Sequence, residues 1–183
     1  MESFNLPPIL LDLSRSVPLA VGVPFVLGSL SGFPTGNVVN GPWYQSLKRP
    51  AFEPPQAVFG IVWSLLYMGM GYASHLAVKV YDNKSLASSR EAVYTGLKIY
   101  WIQLVLNLAY TTLFFFLKKK GLALLDMTAL ISLVYWMTYT LHGATDGQTT
   151  PFLAPYCAWL SFATYLSFQF WRLNLGRPNV KKD

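Results

Sequence analysis

Three polar side chains within an apolar stretch are the residues best suited to bind a ligand. Gln103, Asn107 and Thr111 are spaced four residues apart, so they lie on one face of a helix. Amide and hydroxyl groups inside a membrane are costly unless they face protein, water or a ligand. The spacing therefore predicts either a hydrogen-bonded seam between helices or the polar wall of a ligand cavity, and the sequence leaves both open.

Aromatic side chains form a second candidate set. Trp63 and Tyr67 are four residues apart, and so are Trp159 and Ala163. Tryptophan usually gathers at membrane interfaces, but both indoles fall well inside their apolar runs. They either fill space between helices or, with the small Ala163 leaving room, line a slot for a flat aromatic ligand.

The ionisable residues do not predict a catalytic centre. Asp126 is expected in the first turn of a helix, where the helix dipole favours a carboxylate, and His75 and His142 are expected near helix ends. The single cysteine, Cys157, excludes an intrachain disulfide and a cysteine-based metal cluster. The sequence contains no nucleophile–base pair, phosphate loop or metal-ligand spacing, so we expect no catalytic residue, metal or cofactor.

The elements that must position these residues are membrane helices. The chain has 183 residues, of which 53% are hydrophobic and only 12% charged, about half the charge usual in a soluble domain. Five runs longer than fifteen residues contain no Asp, Glu, Lys or Arg, and about 20 apolar residues cross a bilayer as a helix. The sequence predicts an all-α membrane protein, a five-transmembrane-helix bundle without a separate soluble domain.

The whole chain, residues 1–183, is interpreted as one transmembrane domain. The predicted helices span about 16–31, 55–80, 97–117, 122–141 and 152–173. Residues 32–54 are rich in Gly, Pro and aromatic side chains, which excludes a long helix and predicts a structured loop packed on the protein. Gly28 and Gly32 would permit close helix contact, and residues 175–183 form a basic C-terminal tail.

The distribution of basic residues indicates an orientation. Nine Lys and Arg residues lie in the loop between helices one and two, the loop between helices three and four, and the C-terminus, against five on the other side. The positive-inside rule places the C-terminus and the loop containing Trp43 in the cytosol. We assign the net charge of +6 to contact with lipid headgroups and expect no nucleic-acid partner.

Five segments carry a resemblance to known proteins. They are, in chain order, WYQSLKRPAFEPP (43–55), VWSLLYMGMGYAS (62–74), QLVLNLAYTTLFF (103–115), ALLD (123–126) and PYCAWLSFATYLSFQFWRLN (155–174). Together they resemble the translocator protein family, also called the tryptophan-rich sensory proteins or peripheral-type benzodiazepine receptors. The resemblance covers about residues 17–174. It implies a five-helix bundle, often a homodimer, with a cavity that opens under the loop of residues 32–54.

The resemblance also implies ligands and the residues that bind them. Family ligands are porphyrins such as protoporphyrin IX, sterols such as cholesterol, and benzodiazepine-type drugs. Carried over position by position, the residues implied to line the ligand site are Tyr44, Trp63, Asn107, Tyr110, Trp159 and Ala163. Tyr110 stands where many members have tryptophan. The sterol motif of animal members falls at Leu166, Phe168 and Arg172, and Phe168 replaces its tyrosine.

Three functions follow from these observations. The favoured one is a membrane receptor or translocator that binds porphyrin and hydrophobic ligands, linked to tetrapyrrole or lipid transport and stress response. An alternative is a light-dependent porphyrin-degrading enzyme that uses Trp63 and Trp159 as redox partners. A second alternative is a structural membrane partner protein. For a eukaryotic chain the resemblance implies the mitochondrial outer membrane.

Overall fold

The computed structural model describes residues 5–83 and 87–176, and this part of the chain contains helices and no strand. The helices are α1 (Pro8–Arg15), α2 (Val17–Gly32), α3 (Thr35–Val39), α4 (Pro42–Gln45), α5 (Gln56–Asn83), α6 (Ala87–Thr111), α7 (Lys120–Ala144) and α8 (Thr150–Leu173). A π-helical turn, Thr112–Phe116, continues α6. The all-α fold class predicted from the sequence is confirmed.

Five long helices form the bundle. Helix α5 packs against α2, α6 and α8, while α7 packs against α6 and α8. The interior between them is filled by large side chains that are fully buried, among them Met70, Leu97, Leu130, Tyr156 and Leu160. Burial of such apolar surface between helices holds the bundle in one arrangement.

Four segments of the described chain are long and apolar enough to cross a membrane. They are Val17–Val39, Gln56–Asn83, Ser89–Phe116 and Lys120–Ala144. Helix α8 has 24 residues, enough for a span, but its Tyr, Trp and Pro residues lower its mean hydropathy. The prediction of five spans therefore exceeds by one the number that length and hydropathy alone support.

The outer surface of the bundle is apolar. Leu65, Val105, Leu125 and Tyr139 are each more than half exposed on long helices. A soluble protein rarely exposes so much apolar surface, whereas lipid tails are a suitable environment for it. The exposure therefore agrees with an integral membrane protein.

Helix α1 was not predicted. Leu6, just before it, is buried, and its backbone N–H donates to the Tyr94 hydroxyl at 2.8 Å. At the other end of α1, the Arg15 guanidinium donates to both carboxylate oxygens of Asp82, at 2.9 Å each. A search for long charge-free runs misses this helix because it is short and contains Asp12 and Arg15.

Several predicted helix boundaries were wrong. Helix α6 begins at Ala87 rather than about residue 97, and α7 spans Lys120–Ala144 rather than 122–141. A charge-free run marks the part of a helix suited to lipid, but the helix itself continues into charged turns. Since α7 begins at Lys120, Asp126 lies beyond its first turn, and the expected interaction with the helix N-terminus is absent.

Close packing of α2 on α5 depends on two glycines. A Cβ at Gly71 would overlap the backbone oxygen of Ala20, and a Cβ at Gly28 would overlap the ring of Tyr67. Gly28 therefore serves packing within this chain. A Cβ at Gly32 would meet no heavy atom within 4 Å, so the two glycines do not form one contact seam.

Candidate ligand cavity

A cavity of about 870 Å³ lies at one end of the bundle. Its walls come from the C-terminal part of α2, the N-terminal half of α5, the end of α6 with the π-helical turn, the N-terminal half of α7, and the C-terminal half of α8. Residues of the segment 33–55 cover it. The volume falls within the range of about 300–1,000 Å³ typical of small-molecule sites.

The covering segment is held down by an aromatic cluster. Trp43 and Tyr44, in α4, are each only 5% exposed. The Trp43 ring lies 6.1 Å from that of Phe114, in the π-helical turn, and the Tyr44 ring lies 5.7 Å from that of Phe170 on α8. A π-helical turn changes the direction of the side chains that follow it, and here Phe114 and Phe115 both line the cavity.

A buried hydrogen-bond network forms the polar wall. The Tyr67 hydroxyl donates to Asn107 Oδ1, and Asn107 Nδ2 donates to the Tyr156 hydroxyl at 2.9 Å. The Tyr156 hydroxyl then donates to Gln103 Oε1 at 2.7 Å. The network joins α5, α6 and α8. Its buried polar groups are paired only when these three helices pack in the observed arrangement, so the network stabilises that arrangement.

The two interpretations of the polar face of α6 apply to different residues. Gln103 is fully buried behind the cavity and belongs to the seam between helices. Thr111 lines the cavity. Asn107 does both, because its amide joins the network and its side chain also lines the cavity. The polar face of α6 therefore begins in the seam between helices, at Gln103, and ends in the cavity, at Thr111.

Trp63 lines the cavity from α5. Its ring lies 5.8 Å from that of Tyr67, and it meets the Tyr156 ring edge-on at 6.2 Å. These contacts fix the indole beside the polar network. A flat apolar ligand could therefore lie against Trp63 while its polar edge meets the Asn107 side of the cavity.

Trp159 is placed differently from Trp63. It is not among the residues that line the cavity; its ring lies 5.7 Å from that of Phe59 and 5.6 Å from that of Phe162. Phe59 lines the cavity, and so does Ala163 on the same helix as Trp159. The structure therefore brings Trp63 and Ala163 to the cavity lining, whereas Trp159 contacts the lining residue Phe59 without being part of the lining.

The remaining candidate residues divide between cavity and surface. Tyr110 and Leu166 line the cavity. Phe168 is 41% exposed and packs beside Trp171 at 6.0 Å between ring centroids, and Arg172 is exposed. The three positions of the sterol motif therefore do not converge on one site.

Sequence reasoning missed a charged group at the cavity mouth. The Tyr44 hydroxyl donates to Glu53 Oε1 at 2.8 Å, and Arg49 donates to the same oxygen at 3.3 Å. Burial, followed by the hydrogen bond to Glu53, raises the pKa of Tyr44 well above its ordinary range, so the phenol keeps its proton and remains a donor. The only feature of the sequence that could have indicated this group is the presence of two opposite charges, Arg49 and Glu53, in a segment with few charges.

Asn174 was also missed. Its Oδ1 accepts from the backbone N–H of Lys48 at 2.9 Å, and its Nδ2 donates to the carbonyl oxygens of Lys48, at 3.0 Å, and Phe170, at 2.9 Å. Asn174 follows α8 directly and is 2% exposed. It therefore fastens the covering segment to the end of α8.

The histidines and the cysteine lie away from the cavity lining. His75 Nδ1 is 3.0 Å from the carbonyl oxygen of Ser14, and His142 Nδ1 is 2.8 Å from Thr150 Oγ1. Cys157 Sγ is 3.3 Å from Thr138 Oγ1. Within residues 5–83 and 87–176, no cluster of three His, Cys, Asp or Glu side chains could hold a metal ion.

Comparison with known proteins agrees with this architecture. The model of the TspO/MBR family matches residues 20–172. The chain is similar to the translocator protein homolog of Schizosaccharomyces pombe, with 40% identity over 72% of this chain and 77% of that protein. It is also similar to the translocator protein of Homo sapiens, with 37% identity over 73% of this chain and 76% of that protein.

A prokaryotic relative matches over a comparable extent. The tryptophan-rich protein TspO of Archaeoglobus fulgidus is 32% identical over 72% of this chain and 80% of that protein. The family match extends from α2 to α8 and so includes every helix that borders the cavity. On this match and on the helical membrane architecture, the chain belongs to the TspO/MBR family.

Proposed function

We propose that this integral membrane protein is a receptor or translocator that binds porphyrins, with protoporphyrin IX as the representative ligand, in the cavity beneath the segment 33–55. One observation supports this most strongly: a cavity of about 870 Å³ has aromatic side chains on several walls and a hydrogen-bond network on one. Apolar burial would supply the binding free energy, and the few polar groups would orient the ligand.

Trp63 supplies the aromatic surface for the ligand, and Asn107 and Thr111 supply the polar edge. All three line the cavity. The same apolar volume suits sterols and benzodiazepine-like drugs. For sterols the proposal depends on the cavity itself and on Leu166, since Phe168 and Arg172 do not line it.

A titration of the purified protein with protoporphyrin IX, followed by quenching of tryptophan fluorescence, tests the proposal. Trp63→Phe should weaken binding by roughly twofold to tenfold, because aromatic pairs contribute about 0.5–1.5 kcal/mol beyond their buried area. Trp136→Phe is the matched control, since Trp136 is 55% exposed on the outside of α7. Equal affinities of the two variants and the wild type would reject the cavity as the binding site.

Light-dependent degradation remains the second candidate, and Trp63 at the cavity wall is the observation that favours it. Trp159 would take part only by electron transfer past Phe59, whereas binding requires no such step. Illumination of the complex would separate the two functions. An absorbing product that forms faster than in a protein-free control would establish turnover, and an identical rate would leave binding alone.

We further propose a homodimer in the mitochondrial outer membrane of a eukaryotic cell, with the C-terminus in the cytosol. The excess of Lys and Arg on that side, nine against five, supports the orientation. Protease protection of a C-terminal tag in intact organelles tests it. Cleavage of the tag without disruption of the membrane is the expected result.

A further inference from the structure

The mouth of the cavity contains one carboxylate that is already bound by two donors. Among the cavity-lining residues that the structure describes, Glu53 is the one acidic side chain and Arg49 the one basic side chain. The Tyr44 hydroxyl donates to Glu53 Oε1 at 2.8 Å. Arg49 Nη1 lies 3.3 Å from Oε1 and 3.4 Å from Oε2. A phenol and a guanidinium are together a suitable set of donors for a free carboxylate.

The pair is oriented with its negative end inward. The side chain of Glu53 is only 11% exposed, whereas that of Arg49 is 43% exposed. Arg49 is also held by its neighbours: Nη2 donates to Gln45 Oε1 at 3.2 Å, and the guanidinium lies 5.1 Å from the centre of the Tyr44 ring. The two donors are thus fixed in position independently of Glu53.

Glu53 itself follows a strained residue. Phe52 has φ of +65°, a left-handed conformation that is unfavourable for a non-glycine residue. The Phe52 side chain is 83% exposed, so packing contributes little to holding it there. Release of Glu53 from Tyr44 and Arg49 would allow this residue to relax, which lowers the cost of moving the carboxylate out.

We propose that Glu53 is an internal substitute for a ligand carboxylate: the cavity selects flat apolar molecules that carry an acid group at one edge, and that group replaces Glu53 on Tyr44 and Arg49. This inference rests on the proposed function, since it concerns the same cavity. In the free protein, Glu53 neutralises Arg49 and satisfies Tyr44. In the complex, the ligand acid does both, and Glu53 turns toward water.

Protoporphyrin IX and its dimethyl ester form the matched probe pair, because they share the macrocycle and differ in the two acid groups. Each is titrated into the purified full-length protein, and affinities are compared between variants for one probe at a time. Glu53→Gln should raise the affinity for the diacid by roughly threefold to tenfold. It should change the affinity for the ester by less than about twofold, because an ester has no charge to exchange.

Two controls separate exchange from a general effect of charge. Glu91→Gln removes an exposed carboxylate near the start of α6, far along the chain from the cavity, and should leave both affinities unchanged. Arg49→Gln should lower the affinity for the diacid and leave the affinity for the ester unchanged. In the Arg49→Gln background, Glu53→Gln should improve diacid binding by less than about twofold, because the guanidinium for which Glu53 and the ligand acid compete is absent.

The outcomes are distinct. A gain from Glu53→Gln that persists in full without Arg49, or that is equal for diacid and ester, overturns the exchange while porphyrin binding stands. Binding of neither probe by the wild type overturns both the proposed function and this inference. Glu53→Ala repeats the test if Glu53→Gln does not give folded protein, and thermal unfolding of each variant identifies that case.

Discussion

The two ends of the bundle are built in different ways. At the cavity end, α2, α5, α6, α7 and α8 leave about 870 Å³ open, and the covering segment includes a left-handed Phe52. At the opposite end, Gly71 lets α2 and α5 meet without a gap, and Gly96 accommodates Leu141 of α7.

The two ends also differ in the contacts that hold the segments together. At the closed end, Leu6, which precedes α1, belongs to the core, and Arg15 at the end of α1 forms a two-bond ion pair with Asp82. At the cavity end, Asn107 takes part in a hydrogen-bond network and also lines the open space. The helices are therefore packed more tightly at the closed end than at the cavity end.

The largest expected effect is at the closed end. Gly71→Ala places a Cβ against the backbone oxygen of Ala20, which cannot move aside, so we expect a loss of about 3 kcal/mol of stability. Gly60→Ala, on the same helix at the cavity, meets no heavy atom within 4 Å and should not destabilise. Thermal unfolding in detergent measures both, and equal melting temperatures would contradict the contrast between the ends.

The next largest effect is expected in the polar wall. Asn107→Leu leaves the hydroxyls of Tyr67 and Tyr156 with one partner fewer, and a buried unsatisfied group costs about 1–3 kcal/mol. Both the melting temperature and porphyrin affinity should fall. Thr111→Val, which lines the same cavity, serves as the control for polarity alone. Unchanged stability of Asn107→Leu would mean that the network is dispensable.

A smaller effect is expected at the ion pair of the closed end. The Arg15 and Asp82 side chains are 43% and 39% exposed, so Arg15→Gln should cost at most about 1 kcal/mol. Porphyrin affinity should remain that of the wild type, because the pair lies at the end remote from the cavity. A loss of affinity without a change in melting temperature would show that the two ends are coupled.

The smallest effect is expected at Trp159. Since Trp159 packs against Phe59 and does not line the cavity, Trp159→Phe should change porphyrin affinity by less than about twofold, a smaller change than that for Trp63→Phe. Fluorescence titration of both variants makes the comparison. A larger loss for Trp159→Phe would show that the ligand displaces Phe59 and reaches the second indole.

The sequence predicted those features of the site that depend on the position of a residue within one helix. The polar face that includes Asn107 follows from residue spacing along α6, and the apolar position of Trp63 follows from its place inside the apolar run of α5. Both residues line the cavity. Trp159 also has helical spacing from Ala163, but whether a side chain reaches the cavity depends on the neighbouring helix. Here that neighbour is α5, whose Phe59 packs against Trp159 and lines the cavity.

The parts that could not be predicted depend on contacts between distant segments. The bonds of Asn174 to Lys48 join residues 126 positions apart. The Tyr44–Glu53 bond requires the left-handed turn at Phe52, which no local preference of phenylalanine indicates. Helix α1 is too short to be recognised by hydropathy, and its position is set by Tyr94 and Asp82.

The position of Asn174 makes the end of α8 one of the attachments of the covering segment. Two hydrogen bonds of its side chain join the end of α8 to Lys48, and a third holds the same side chain to the carbonyl oxygen of Phe170 in α8. Unwinding the last turn of α8 would release Lys48 and leave the cover held by the ring contacts of Trp43 and Tyr44. A deletion that removes Asn174 is thus expected to speed the exchange of bound molecules well before it lowers resistance to heat.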